Sequence, residues 1–135
     1  MDRQKSSGGG GDAPGVTHEV RNDTLHVCVR GSVDLPTITA YATRHQDVWP
    51  SHAKILWDLR KFDPSGISSK DILNIPHAFA EIMNLRAGGR SAVLVSKELE
   101  LVTRVAMALF ENQPAQIELR SFLDEAVAKE WLDEI

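Results

Sequence analysis

The sequence predicts an α/β domain on a mixed, mostly parallel sheet, with elements in the order β-β-α-β-α-β-α-β-α. Three stretches carry that expectation. Lys54 to Asp71, KILWDLRKFDPSGISSKD, joins an apolar run to a turn and then to a helix-start signal. Ala92-Val93-Leu94-Val95 is a second unbroken apolar run, followed at once by a helical pattern. Leu25, Val27 and Val29 alternate with His26, Cys28 and Arg30 in the second arm of a hairpin. Continuous runs belong to strands covered on both faces, as in parallel sheets, whereas alternation marks a strand with one buried face.

Met1 to Gly15 is polar and contains Ser6-Ser7-Gly8-Gly9-Gly10-Gly11. It has too little apolar surface to offset its ordering entropy. Residues 1–15 are therefore expected to form a flexible tail and residues 16–135 one domain. Val16 to Arg30 reads as a hairpin with Asn22-Asp23 as its turn, lacking the usual second-position glycine. Cys28 lies on the polar face with His26 and Arg30. An unpaired cysteine there packs as a small hydrophobe, and basic neighbours are what would activate its thiol.

Asp34 can cap the first helix and Pro36 suits its first turn. Leu35, Ile38, Tyr41 or Ala42, and Val48 or Trp49 form its stripe, and Pro50 ends it. Thr37, Thr39 and Thr43 lower the propensity, so packing must hold this helix. Ala53 to Leu59 is the central strand. Asp58 at its end needs hydrogen-bond donors or exposure, and bracing the following turn is its expected role.

Ser68-x-x-Asp71 opens the second helix, and Pro76 either kinks it or restarts it. Phe79, Ile82, Met83 and Arg86 continue its spacing until Arg86-Ala87-Gly88-Gly89 stops it. After the strand Arg90 to Ser96, Ser96 is the expected cap of a third helix with Leu99, Val102, Val105, Ala106, Leu109 and Phe110 on one face. Ala115, Ile117 and Leu119 alternate as an edge strand. Ser121-x-x-Asp124 opens a last helix presenting Leu123, Val127 and Trp131, with Phe122 and Ala126 beside them.

Short right-handed β-α-β connections place the strands in sequential order, with the hairpin at one edge and 115–119 at the other. The helices then fall mainly on one face. The other needs cover from the Lys61 to Asn74 segment, a ligand or a second subunit. A homodimer is one expected solution.

Composition narrows the function. The chain has 135 residues, 42% hydrophobic and 25% charged, with a net charge of −4. That is ordinary for a soluble domain, and the charge argues against nucleic acid as the main partner. No apolar run approaches the ~20 residues of a membrane span, and there is no apolar signal-peptide core. Membrane insertion is not expected. The single Cys28 permits no internal disulfide and fits the cytoplasm. His18, His26, His45, His52 and His77 show no metal-site spacing, so neither metal nor cofactor is expected.

The strand ending in Trp57-Asp58-Leu59 with Phe62 beyond it, the run Ser91-Ala92-Val93-Leu94-Val95, Arg104, and the closing Arg120-x-Phe122 with Trp131-Leu132 together resemble SpoIIAA-like, or STAS, domains. More specifically the chain resembles the stand-alone bacterial members, which are also compared with lipid-binding Sec14 domains. The resemblance covers nearly all of Val16 to Ile135. In anti-sigma antagonists of this fold, the loop after the central strand carries Asp-Ser-Ser/Thr-Gly, and the first serine is phosphorylated by a partner kinase. Here Asp63-Pro64-Ser65-Gly66 is the matching stretch, with proline at the acceptor position.

The resemblance implies a non-enzymatic regulatory module that binds a protein partner or a small hydrophobic, lipid-like ligand. The alternative is an anti-sigma factor antagonist controlled by phosphorylation at Ser65, Ser68 or Ser69. Asp58, Phe62, Asp63, Ser65, Ser68 and Ser69 form the expected binding or regulatory loop. Ile67, Ile72, Phe79 and Met83 are the expected ligand lining, although such a stripe usually faces the core. No Gly-rich phosphate loop, nucleophile motif or paired carboxylates suggest catalysis, and no catalytic residue is assigned. Convergence of Asp58, Asp63 and His77 near the loop is the arrangement that an enzyme reading would need.

Overall fold

The computed structural model describes residues 15–48, 54–78, 89–110 and 118–134. The tail before Gly15, together with Pro50, Phe79, Ile82, Met83, Ala115 and Ile117, lies outside the described residues. Strand β1 (Gly15–Arg21) turns through Asn22-Asp23 into β2 (Thr24–Ser32), with Arg21 opposite Thr24. Asn22 takes φ 58°, so asparagine supplies the left-handed residue that glycine often supplies in such turns. Then follow α1 (Leu35–Arg44), β3 (Lys54–Asp58), the two-residue β4 (Phe62–Asp63) and α2 (Ser69–Ala78). The chain continues through β5 (Arg90–Leu94), α3 (Glu100–Phe110), β6 (Glu118–Phe122) and α4 (Glu125–Leu132).

The strand order is β1-β2-β3-β5-β6, with β4 joined separately to β2. Among the described residues, only β1–β2 is antiparallel. Lys54–Asp58 is thus the middle strand, as its unbroken apolar run requires.

Alternation sorts the side chains onto two faces. Leu25, Val27 and Ile55 meet Ala42 of α1, while Val29 and Val33 meet Ile38. Val93 and Val95 meet Leu99 and Val102 on the same face. α2 neighbours both α1 and α3. Trp57 is half-buried and bridges two of these clusters.

The opposite face holds Leu56, Ala92, Leu94 and Phe122 beneath Ala128, Trp131 and Leu132 of α4. Each Leu so enclosed contributes about 1.5–3 kcal/mol. The cover for this face is therefore α4 and not the Lys61 to Asn74 segment, whose Phe62 and Ile67 pack against Val29, Val33 and Ile38 on the first face. The reason is topological. Right-handed crossovers between sequential parallel strands put α1, α2 and α3 on one side. α4 instead lies across the other face, on Leu56, Ala92, Leu94 and Phe122. It reaches β3, β5 and β6. Over β2, His26, Cys28 and Arg30 stay half-buried.

Several local boundaries differ from the expectation or settle it. α1 ends at Arg44, before Pro50; Thr39 Oγ1 donates back to the Leu35 and Pro36 carbonyls within it. Ser96 precedes a short 3-10 turn, Lys97–Leu99, without a side-chain capping bond, and α3 proper begins at Glu100 with Val105 half exposed. The last strand is Glu118–Phe122, so Phe122 ends β6 instead of joining the helix. Asp124, not Ser121, caps α4: its Oδ1 accepts from Ala126 N at 2.8 Å. That start rotates the buried stripe to Ala128, Trp131 and Leu132, leaving Leu123 and Val127 half exposed. α2 runs from Ser69 through Pro76 to Ala78, so it does not begin afresh at Asn74.

Candidate functional site

The segment after β3 is bound to the sheet at several points. Leu59 N donates to Leu94 O at 2.8 Å and Gly31 N to Lys61 O at 2.9 Å. β4 then pairs Phe62 with Gly31 and Asp63 with Ser32. Gly31 adopts φ 70°, the left-handed conformation a side chain disfavours. Phe62 is half-buried between the Val29–Val33–Ile38 and Val93–Val95–Leu99 clusters and anchors the loop from below.

Above that anchor the loop is a 3-10 turn, Pro64–Gly66. Asp63 Oδ1 accepts from Ser65 N at 3.0 Å, and Ile67 N donates to Pro64 O at 2.9 Å. The Ser65 hydroxyl lies 3.3 Å from that of Ser32. Gly66 is not needed for a left-handed φ. It is needed for proximity, because a Cβ there would sit 3.0 Å from Ser32 Oγ. Ser68 and Asp71 form a reciprocal capping box, with Asp71 N donating to Ser68 Oγ at 3.2 Å and Ser68 N to Asp71 Oδ2 at 3.1 Å. Asp63, Pro64, Ser65, Ser68 and Ser69 are all exposed.

Asp58 belongs to a different group. Arg60 donates to its Oδ1 from Nε at 3.0 Å and from the backbone at 3.1 Å, and to Oδ2 from Nη2 at 2.8 Å. The same Nη2 reaches Glu125 Oε1 at 3.1 Å. Burial pushes the Asp58 carboxyl upward, but the bonds and charge of Arg60, with the charge of Arg30, outweigh it and hold the group below its ordinary range. Asp58 braces the turn and ties β3 to α4. No hydrogen bond or ion pair among the described residues joins Asp58, Asp63 and His77.

The structure therefore gathers Phe62, Asp63, Ser65 and Ser68 into one braced loop with Ser69 at its rim, and sets Asp58 apart. Ile67 packs into the Val29–Val33–Ile38 core, and Ile72 is half-buried. Phe79 and Met83 lie outside the described residues. Ser32 was not singled out from sequence: the Val-Arg-Gly-Ser end of a strand gives no hint that a turn thirty-odd residues away will land on it. Arg60 and Glu125 escaped for the same reason.

A shallow cleft of about 280 Å³ opens elsewhere, outside the carboxyl ends of β5 and β6. Val95 and Phe122 line it together with Leu123 and Val127, and Glu100, Ser121 and Asp124 add polar groups. Among the described residues, no three His, Cys, Asp or Glu side chains are grouped to hold a metal ion.

This arrangement is that of a SpoIIAA-like, or STAS, fold. The chain is similar to the crystal structure of an uncharacterised protein from the DUF3478 family with a SpoIIAA-like fold from Shewanella loihica PV-4. The TM-score is 0.62 at 18% identity, covering 93% of this chain and 99% of that one. No family model and no curated protein matches the sequence. Among the described residues, no helix is long and apolar enough to cross a membrane.

Proposed function

We propose that this chain is a non-enzymatic, regulatory SpoIIAA-like module that binds a protein partner through the Phe62–Ser69 loop. The observation that carries the reading is a loop braced from below while its outer surface is exposed. Phe62 anchors it, Asp63 caps it, Ser32 holds Ser65, and Ser68 pairs with Asp71. Pro64 fixes its own φ and restricts Asp63. A loop already ordered loses little entropy when a partner docks on it. The serines serve the architecture: the Ser65 hydroxyl faces Ser32, and the Ser68 hydroxyl accepts from a backbone N–H.

Cross-linking tests this directly. A photoreactive residue at Ser69 should capture one protein in host cells, identified by mass spectrometry. Capture should be lost with Pro64→Gly and absent from a probe at Glu134. Equal capture from both positions would defeat the proposal. The exposure of Ser65 supports one alternative, an anti-sigma antagonist switched by phosphorylation. Stoichiometric phosphate on Ser65 after incubation with host lysate and ATP, abolished by Ser65→Ala, would establish that alternative instead.

A further inference from the structure

Ile67, of the expected ligand lining, packs against the core, whereas the cleft at the ends of β5 and β6 is open to solvent. We infer that this cleft binds a small amphiphilic amine, with its apolar body between Leu123 and Val127 and its ammonium group at Glu100 and Asp124. The site is separate from the 62–69 loop and stands whether or not that loop binds a protein.

Its position is one where open α/β sheets place ligands, outside the carboxyl ends of parallel strands. Val95 and Phe122, both buried, line it. Leu123 and Val127 flank it at 48% and 49% exposure. They form an apolar wall that water now wets. At about 280 Å³ the cleft falls just below the ~300–1,000 Å³ of pockets for drug-sized ligands, which favours a short alkyl chain or a single ring.

The polar lining selects the head group. Glu100 and Asp124 contribute carboxylates and Ser121 a hydroxyl, and no lysine or arginine is among the lining residues. Helix N-termini ordinarily favour anions. Here each helix start already carries its own acid: Glu100 is the first residue of α3 and Asp124 is the N-cap of α4. The rim is therefore negative and disfavours a fatty acid. Asp124 uses Oδ1 for its cap, a bond that does not engage Oδ2. Glu100 Oε2 lies 3.2 Å from Arg104 Nη2 in an exposed i,i+4 pair. Such pairs contribute little, so an incoming ammonium exchanges with Arg104 at small cost. Arg120 stacks over the Phe122 ring at 5.4 Å without lining the cleft.

The test is an NMR titration of the full chain with hexylammonium, hexanol and hexanoate at fixed ionic strength. Hexylammonium should give saturable amide shifts at Glu100 and across Ser121 to Val127. It should bind roughly tenfold tighter than hexanoate, the equivalent of one charge contact of ~1.4 kcal/mol, with hexanol between them. Glu100→Gln should weaken hexylammonium several-fold and leave hexanol unchanged. Val127→Lys, on an exposed helical position, should abolish hexylammonium binding; should it fail to fold, the Glu100→Gln comparison still decides. Hexanoate binding as tightly as hexylammonium, shifts that do not saturate, or insensitivity to Glu100→Gln would each overturn the inference.

Discussion

Replacing Gly66 with alanine tests whether Ser32 pins the loop. An added Cβ would lie 3.0 Å from Ser32 Oγ but 3.7 Å from the Val33 carbonyl carbon and oxygen. Its one hard conflict is thus with a rotatable hydroxyl. Gly66 does not adopt a left-handed φ, so the backbone itself accepts alanine. Gly→Ala at a compatible position stabilises by about 0.4–1 kcal/mol through the unfolded state. Against this, Ser32 must turn away and give up its contact with Ser65, a loss of about 0.5–1.5 kcal/mol for a typical hydrogen bond and at the low end for one this exposed. The two effects nearly cancel, so Gly66→Ala alone should change stability by no more than about 0.5 kcal/mol. In a Ser32→Ala background the obstacle is gone, and the same substitution should stabilise by about 0.4–1 kcal/mol. Urea melts of the four proteins in this cycle give the coupling directly, expected near 0.5–1 kcal/mol. Hydrogen exchange should quicken at the Ser65 and Ile67 amides only in the Gly66→Ala single variant, since both amides bond within the loop. Additivity within about 0.3 kcal/mol would refute the claim that Ser32 holds this turn.

Three further outcomes are expected. Trp131→Ala should cost about 3–5 kcal/mol in urea melts, because the ring is buried, tilts on Phe122 at 5.5 Å and lies under the Arg90 guanidinium at 4.7 Å; a loss below about 1 kcal/mol would make α4 peripheral. His18, in ring contact with Tyr41 and His45, is held below its ordinary pKa by burial and by His45, with Asp47 opposing. Its unfolded form binds a proton first, so its stabilising contribution is complete above the unfolded pKa and is lost as pH falls through the folded value. Between pH 7.5 and 5.5, His18→Gln should therefore lose less stability than the wild type, and identical pH profiles would count against the cluster. The seven-residue edge strand β1 offers unpaired backbone groups for a symmetric dimer, so sedimentation at micromolar concentration should show twice the 14.9 kDa chain mass; a monomer alone would remove that expectation.

What the sequence determined by itself was local. Unbroken apolar runs marked β3 and β5, alternation marked β2, and Asn22-Asp23, Asp34 with Pro36, and Ser68 with Asp71 marked turns and helix starts. Those signals work because hydrogen bonding and burial act on neighbouring residues with a fixed period. The sequential strand order also followed, since short right-handed crossovers leave few alternatives. The boundary of the last strand and helix did not follow. Ser121-x-x-Asp124 reads as a helix start at Ser121, and only pairing of Leu94 with Phe122 in the sheet moves that start to Asp124. That choice turned Leu123 and Val127 outward and opened the cleft between two helix starts. In the same way, Ser32 meets Ser65 only because β4 pairs with β2, and His18 meets Tyr41 and His45 only because α1 packs across the sheet. These contacts join residues far apart in the chain. Tertiary structure alone decides them, because no local periodicity encodes which side chains two separately formed elements will bring face to face.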